Sequence, residues 1–364
     1  MELRDLRIRD IRVRKVAAPM KRPLATSAGT VALAPLVLLD LRTDAGIVGR
    51  SYLFAFARHN LSPLAGLVEA MAEMVKGDAV APFDLERKLR EKYALLGVHN
   101  MVLFAMAGID MAAWDALARA LGQPLARLLG ASPRPIPAYN SKGLGLMPKA
   151  AVEKEAVELV REGFAAVKLR LGRPEAKEDL EVLRAVRKAI GPGVRLMVDF
   201  NQGLSVAEAM KRGRMIDAEG DVEWIEEPIR ADDFAGAARL ARELATPIQL
   251  GENFMGPEQA AQAIAAGACD FVMPDAQRIG GVTGWMRAAA LAQGAGLEMS
   301  SHLFPEVSAH LLTATPTCHW LEYVDWADAI LAEPVKISNG HVRVEERPGI
   351  GVEWDEDAVA RYAA

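Results

Sequence analysis

Cysteine is scarce: Cys269 and Cys318 are the two in 364 residues, each in an apolar or small-residue setting. So small a number argues against a disulfide framework or a cysteine metal centre and points to reduced thiols in or near the core. A basic excess is missing too. Lys and Arg number 43 against 48 Asp and Glu, a net charge of −5, which leaves no footprint for nucleic acid. No unbroken apolar run approaches the about 20 residues of a membrane span. The opening MELRDLRIRD alternates charge with apolar residues where a signal peptide would be continuously apolar. These absences set the expectation of a cytoplasmic protein with neither nucleic acid nor membrane among its partners.

What is present has a clear grammar. The length suits one large domain plus a smaller one. Residues 3–18, with LRIRDIRVRKVAA from Leu6, alternate apolar and charged positions as a half-buried strand does. PLVLLDLRTDAGIVGRSYLFAF gives two more strands joined at Thr43–Gly46. Between the first two lies PMKRPLATSAGTVALAP, whose small residues, Gly and Pro suit a connection or a mobile flap. Helical patterns follow to Gly122, so residues 1–130 read as an α+β unit. From Pro133, Pro135 and Pro137 strand and helix alternate until HWLEY, giving eight strands and about seven helices over 131–325. That is the count of a (β/α) barrel lacking one helix. Residues 326–364 leave the rhythm, carry an Asn339-Gly340 hairpin signal, and are expected to pack back on the first unit.

The organising stretch is Arg195–Asn253. RLMVDFNQ ends on Asp199, VEWIEEP on Glu226 and Glu227, and PIQLGEN on Glu252. Parallel barrel strands are buried on both faces, so charge is tolerated chiefly at their ends, and all carboxyl ends open at one mouth. Three carboxylates meeting there suit a hard cation such as Mg²⁺. In strand order the end residues are Ser141, Lys168 with Arg170, Asp199 with Asn201, Glu226, Glu252, Asp275, His302 and Glu322. Lys168 and Arg170, two apart, share a face. Asp275 and His302 end adjacent strands, so the acid can orient the imidazole and raise its pKa, making a general base. A divalent cation, a lysine and a His–Asp pair together favour removing a proton beside a carboxylate and holding the enediolate that results.

These motifs carry a resemblance. APLVLLDL, GRSYLFAF, AGIDMAAWDAL, MVDFNQ, WIEEP, GEN, MPDAQRIGGVTGW, SSHLFPEVSAHLL and ATPTCHWLE, in this order, are similar to the mandelate racemase subgroup of the enolase superfamily over the whole chain. The resemblance implies an α/β fold, a modified (β/α)7β TIM barrel with an α+β N-terminal capping domain completed by the C-terminal segment. It implies Mg²⁺ on Asp199, Glu226 and Glu252, and His302–Asp275 as catalytic dyad. Glu322 takes the place of an acid donating a hydrogen bond to the substrate carboxylate. Asn201 takes that of a contact to the α-hydroxyl, and Ser141 lies near the bound carboxylate. The loops near 19–34, with Leu24 and Val31, and 52–56, with Phe56, match the segments that set substrate choice. A small carboxylate substrate and a homo-oligomer, an octamer among the forms allowed, are implied by kinship alone.

Two positions depart from the pattern. Where the family has Lys-x-Lys this chain has VKLRLG, so Arg170 stands in the place of the second base. A free guanidine makes up about one part in 10⁶ at pH 7, a penalty on the order of 7–8 kcal/mol for using it as a base. Phe56 replaces a tyrosine and removes a hydroxyl. The likeness therefore favours racemisation or epimerisation of a 2-hydroxy acid. Arg170 favours a one-base acid-sugar dehydratase using His302–Asp275. A retired barrel binding an anionic ligand would have lost a metal ligand or the base, and another class of metal-barrel enzyme would carry histidine among its ligands.

Overall fold

The computed structural model describes residues 6–27 and 29–364. Its first unit is an antiparallel meander of β1 (Ile8–Thr26), β2 (Gly29–Thr43) and β3 (Val48–Phe54). Three helices follow: α1 (Leu61–Val75), α2 (Pro82–Lys92) and α3 (Met101–Ala120). Positions 3–5 of the expected first strand lie outside the described residues. The segment 19–34, expected as a connection or mobile flap, is instead the outer half of a β-ribbon. β1 and β2 remain paired through Leu24↔Val31, Ala25↔Thr30 and Thr26↔Gly29, with a register shift between Pro19 and Leu24. Its Pro and small residues carry a loop signal, yet each arm supplies the other's backbone hydrogen bonds, so the ribbon needs little apolar alternation of its own.

Helix α3 is the second departure. By length and hydropathy Met101–Ala120 could cross a membrane, and 83 % of its most apolar window is buried inside the protein. A helix apolar on all sides is a core helix here. It packs on β3 so closely that a Cβ at Gly49 would fall 2.0 Å from the Ala112 carbonyl oxygen. Both acids within it are consumed at junctions. Asp110 accepts from the backbone N–H and hydroxyl of Thr283, and Asp115 from the backbone N–H groups of Arg50 and Ile350 and from Arg119.

A short α4 (Leu125–Leu128) leads into the barrel. Its strands are β4 (Pro135–Asn140), β5 (Ala166–Arg170), β6 (Arg195–Asp199), β7 (Ile225–Glu226), β8 (Ile248–Leu250), β9 (Phe271–Val272), β10 (Glu298–Met299) and β11 (Leu321–Tyr323). Seven helices alternate with them: α5 (Lys149–Arg161), α6 (Ala176–Ile190), α7 (Val206–Glu219), α8 (Phe234–Glu243), α9 (Pro257–Ala265), α10 (Gly281–Ala295) and α11 (Pro305–Ala314). Local chemistry starts several of them. Glu175 and Glu178 form a capping box on α6, and Ser205 and Asp233 accept from the first-turn N–H groups of α7 and α8. The strands run parallel in sequence order from β4 to β10, and β11 pairs with β4. Ser301 N donates to Trp320 O and His319 N to Met299 O, closing the ring.

Alternation along these strands positions the site. Outward residues such as Val167, Val198, Ile225 and Val272 join the main core under the helices. Tyr139, Ala166, Met197 and Trp224 form a separate buried cluster, with Phe271 and Trp320 against it. Two residues further along those same strands stand Ser141, Lys168, Asp199, Glu226 and Glu322, the period that keeps them on the inner face. The barrel floor is thus an aromatic plug, and the polar residues are its next layer.

The C-terminal segment divides. β12 (Ile337–Ser338) and β13 (His341–Arg343) form the expected hairpin through Asn339 and Gly340, both at positive φ, 49° and 71°. β13 pairs with β4 at Pro135–Pro137, so the hairpin joins the barrel, not the first unit as expected. From Gly349 the chain does return to that unit. Trp354 Nε1 donates to Asp40 at 2.7 Å, Arg14 pairs with Glu356 before and within α12 (Glu356–Arg361), and Ala17 N donates to Tyr362 O.

Candidate active site

Asp199, Glu226 and Glu252 each present an oxygen, and the three lie within 4.8 Å of one another. Burial pushes the Asp199 and Glu226 carboxyls upward and nearby carboxylates add to it, with Lys168 opposing. At Glu252 the upward push of burial is outweighed by His302, Lys168 and Arg278, leaving it lowered. So much negative charge on buried oxygens calls for a cation. Three carboxylates with no histidine or thiol among them fit Mg²⁺. Asn201, in a left-handed conformation at φ 44°, donates from its backbone and side chain to Asp199, while its own Oδ1 is buried without a partner. Glu227, adjacent to Glu226, turns away, accepts from Asn253 at 3.2 Å, and is raised to about 8 by burial and then by Glu252.

Lys168 sits between acids: Nζ is 2.5 Å from Glu226, 2.8 Å from Glu322 and 3.4 Å from Asp199. Burial works against its charge, and those three carboxylates outweigh it, so its pKa is raised. Arg170 is tied to the β4–α5 connection. Nη1 donates to the carbonyls of Ser141 (3.0 Å) and Gly143 (2.7 Å), and Nη2 donates to Ser141 Oγ at 2.7 Å. Ser141 Oγ in turn donates to Glu322 at 2.7 Å, whose other oxygen accepts from Leu303 N. Both oxygens of Glu322 therefore have donors facing them within the protein itself. Burial raises its carboxyl, but Lys168 and His302 carry it well below the usual range, so both oxygens act as acceptors.

Across the site, His302 Nδ1 lies 2.8 Å from Asp275 Oδ2. Asp275 Oδ1 accepts from the backbone N–H groups of Gln277 and Arg278, which fixes the carboxylate. His302 Nε2 points to the middle, 3.4 Å from Glu252 and 3.8 Å from Glu322. Burial lowers its pKa, and Glu252, Glu322 and Asp275 reverse that, bringing it to about 9.

The first unit reaches this mouth in two places. Ser27 Oγ donates to the carbonyls of Phe200 (2.8 Å) and Asn201 (3.1 Å), and Leu146 N donates to Ala25 O. The β1–β2 ribbon is thereby docked on the β6–α7 and β4–α5 connections, with Leu24 and Val31 paired near its tip. After β3, Phe56 takes φ 60° and its ring packs on Phe54 and under the Arg278 guanidinium, 4.5 Å from the ring centre. Sequence reasoning missed the polar residues behind the acids: Asn253, Gln277 and Arg278, and the Tyr52–Glu306 hydrogen bond of 2.5 Å joining β3 to α11. Asn253, Gln277 and Arg278 follow strand-end acids in GEN and PDAQR, where a polar residue reads equally well as a solvated loop position.

Three carboxylates within 4.8 Å of one another, able to hold a metal ion, and a His–Asp pair at the mouth of a (β/α)7β barrel suit an enzyme that draws protons from carbon beside a carboxylate. Residues 8–130 match the mandelate racemase/muconate lactonizing enzyme N-terminal domain model, and residues 151–358 the enolase C-terminal domain-like model. The chain belongs to this family of the enolase superfamily, whose Mg²⁺ dependence it shares. It is 32 % identical to the L-talarate/galactarate dehydratase of Salmonella typhimurium over 94 % of this chain and 85 % of the relative. An enolase from an alpha proteobacterium, bal199, solved with Mg, has 46 % identity and a TM-score of 0.96 over 99 % of this chain and 100 % of its own. A Bradyrhizobium enolase solved with magnesium and mandelic acid has 43 % identity and a TM-score of 0.94 over 99 % of each chain.

Proposed function

We propose that this enzyme removes the α-proton of a 2,3-dihydroxycarboxylate with His302 as its single base and then eliminates the β-hydroxyl as water. The observation that carries this is the state of the opposite side. Lys168 is committed to three carboxylates. Arg170 gives Nη1 to two carbonyls, which accept and cannot donate, so a guanidine lone pair there would face oxygen lone pairs. Asp199, Glu226 and Glu252 would hold Mg²⁺, which supplies positive charge where the substrate carboxylate gains negative charge. Lys168 supports that charge from the other side. His302 Nε2 takes the α-proton, and the C–H pair moves into the enediolate. The enediolate collapses, the β-carbon–oxygen bond breaks, and the same His302 returns the proton to the departing hydroxide. Water and an enol leave, and the enol becomes a 2-keto-3-deoxy acid.

Leu24, Val31 and Phe56 would line the far end of the substrate, Asn201 would meet the α-hydroxyl, and Ser141 and Glu322 would border its carboxylate. An anionic substrate arriving beside Glu322 favours the protonated form of that acid, which would restore its donor role. We take 1–130, 131–325 and 326–364 as cap, barrel and C-terminal segment, and the working form as a cytoplasmic homo-oligomer, on kinship. Racemisation is the second reading, favoured by the mandelic acid bound to the Bradyrhizobium relative, a ligand with no β-hydroxyl to lose. Single enantiomers of 2-hydroxy and 2,3-dihydroxy acids incubated with Mg²⁺ in D₂O separate the two. Keto-acid formation, with α-deuterium entering 2-hydroxy acids without inversion, supports one-base elimination; a racemic, deuterated 2-hydroxy acid overturns it.

A further inference from the structure

Two residues behind the dyad reach Asp275, the cap loop and, through Asn253, Glu252. Gln277, fully buried, receives the Phe54 backbone N–H at 2.8 Å on Oε1 and donates Nε2 to the Phe54 carbonyl at 3.2 Å. Its side chain thus satisfies both backbone groups of the last β3 residue, as a neighbouring strand would. Its own backbone N–H, with that of Arg278, holds Asp275. Arg278 lies over Phe56 at 4.5 Å and within 5.8 Å of Phe104. Its Nη1 donates to Asn253 Oδ1, and Asn253 Nδ2 donates onward to Glu252 and Glu227, each at 3.2 Å. The path from the cap loop to a metal-ligand candidate thus runs through three contacts: ring to guanidinium, guanidinium to amide, amide to carboxylate.

We propose that Gln277 and Arg278 are positioning residues that couple the seat of the cap loop Phe54–Phe56 to Glu252 and Asp275, so that these acids keep their working geometry only while the loop is docked. A guanidinium held between an aromatic face and an amide has two attachments, and loss of either frees it to reorient. Residues that orient metal ligands from behind commonly change metal affinity by about 10–100-fold when removed. The coupling makes the cap a condition for metal binding as well as for substrate enclosure.

The inference rests on reading Asp199, Glu226 and Glu252 as the metal ligands. It is tested by calorimetric titration of the full chain with Mg²⁺ alone, without substrate, in a double-mutant cycle of Phe56→Ala and Asn253→Ala. Phe56→Ala, which removes a ring from the cap and no polar group, is expected to weaken Mg²⁺ by about 5-fold. Asn253→Ala is expected to weaken it by about 10-fold, and the double variant by no more than Asn253→Ala alone. Arg278→Lys, which keeps the charge and loses the fork, should fall between wild type and Asn253→Ala. Wild-type affinity in Phe56→Ala, or losses that simply multiply in the double variant, overturns the coupling. Glu252→Gln separates the two levels. If it leaves Mg²⁺ binding intact, the metal-site reading fails and the coupling with it; if it abolishes binding while Phe56→Ala does nothing, only the coupling fails. Melting temperatures of every variant within a few degrees of wild type confirm that a folded protein is being titrated.

Discussion

The two cationic sides of the site are built on opposite principles. On one side His302 has a single strong attachment, Nδ1 to Asp275 at 2.8 Å, and presents Nε2 between Glu252 and Glu322 at the longer distances of 3.4 and 3.8 Å. On the other, Lys168 and Arg170 have their charged ends committed to carboxylates, carbonyls and a hydroxyl. A base needs a lone pair aimed at the substrate and a charge state that can change; an electrostatic anchor needs neither. The difference shows that placing cations on both faces of a substrate does not amount to placing two bases there.

The strongest way to break this contrast is to exchange functions across it. His302→Asn is expected to lower turnover and α-deuterium exchange together by about 10⁴-fold, since no other group takes the proton. Exchange surviving that change, measured by NMR in D₂O, would mean that the Lys168–Arg170 side acts as a base. Arg170→Lys is the complementary variant. A lysine offers one nitrogen on a flexible stem where the guanidinium spreads these three hydrogen bonds over Nη1 and Nη2, so its amine is held less rigidly and becomes freer to lose a proton. It should cost about 10-fold in turnover and introduce inverted, deuterated product that wild type does not form.

Asp275→Asn tests the other half of the contrast at about 10²-fold in kcat. Its pH profile is more diagnostic than its rate. A base works unprotonated, so kcat/KM rises with pH through the His302 pKa. Part of the upward pull on that pKa comes from Asp275. Removing the anion must move the rising limb to lower pH, and a limb that stays in place would show that Asp275 orients the ring without tuning it.

Much of this arrangement was legible because barrel geometry converts sequence order into convergence. Apolar runs ending in Asp199, Glu226 and Asp275 could lie only on buried strands, and their ends share one mouth. Parity did the rest: Lys168, two residues beyond Ala166, had to face inward above the plug. The ribbon at 19–34 was hidden because its pairing partner is itself, and its Pro and small residues outweigh a weak alternation. Gln277, Arg278 and Asn253 were hidden for a different reason. They act through backbone N–H groups, amides and a ring stack, and nothing in one sequence distinguishes such a glutamine from a solvated loop residue. The donors gathered on Glu322 were also unreadable, because they depend on Lys168 at 2.8 Å, Ser141 Oγ and Leu303 N coming together in space, not on residue type.

Ser141→Ala sharpens the anchor side. Ser141 Oγ receives Arg170 Nη2 and donates to Glu322, each at 2.7 Å, so the change opens the link between a guanidinium and a carboxylate. Hydrogen bonds to charged groups contribute about 1.5–3 kcal/mol, and kcat/KM should fall about 10-fold or somewhat more, carried mostly by KM. A loss confined to kcat would place Ser141 in the proton transfer, contrary to an anchoring role.

His310 provides the comparison with burial alone. It stands in the same stretch as His302, is buried on α11, and accepts the Ala126 N–H on Nδ1 at 3.2 Å. Burial lowers its pKa to about 3, since no carboxylate offsets the loss of water as Glu252, Glu322 and Asp275 do for His302. The unfolded chain binds a proton there near pH 6.5, and the folded chain does not until about pH 3. Between those values the unfolded state holds more protons, so stability falls as pH drops, by about 1.4 kcal/mol per unit. His310→Gln keeps an acceptor for Ala126 and removes the titration. Chemical denaturation of both proteins at pH 7.5, 6 and 5 should give a shallower acid slope for the variant with kcat at pH 7.5 little changed. Equal slopes would place the acid sensitivity in the clustered carboxylates of the site instead.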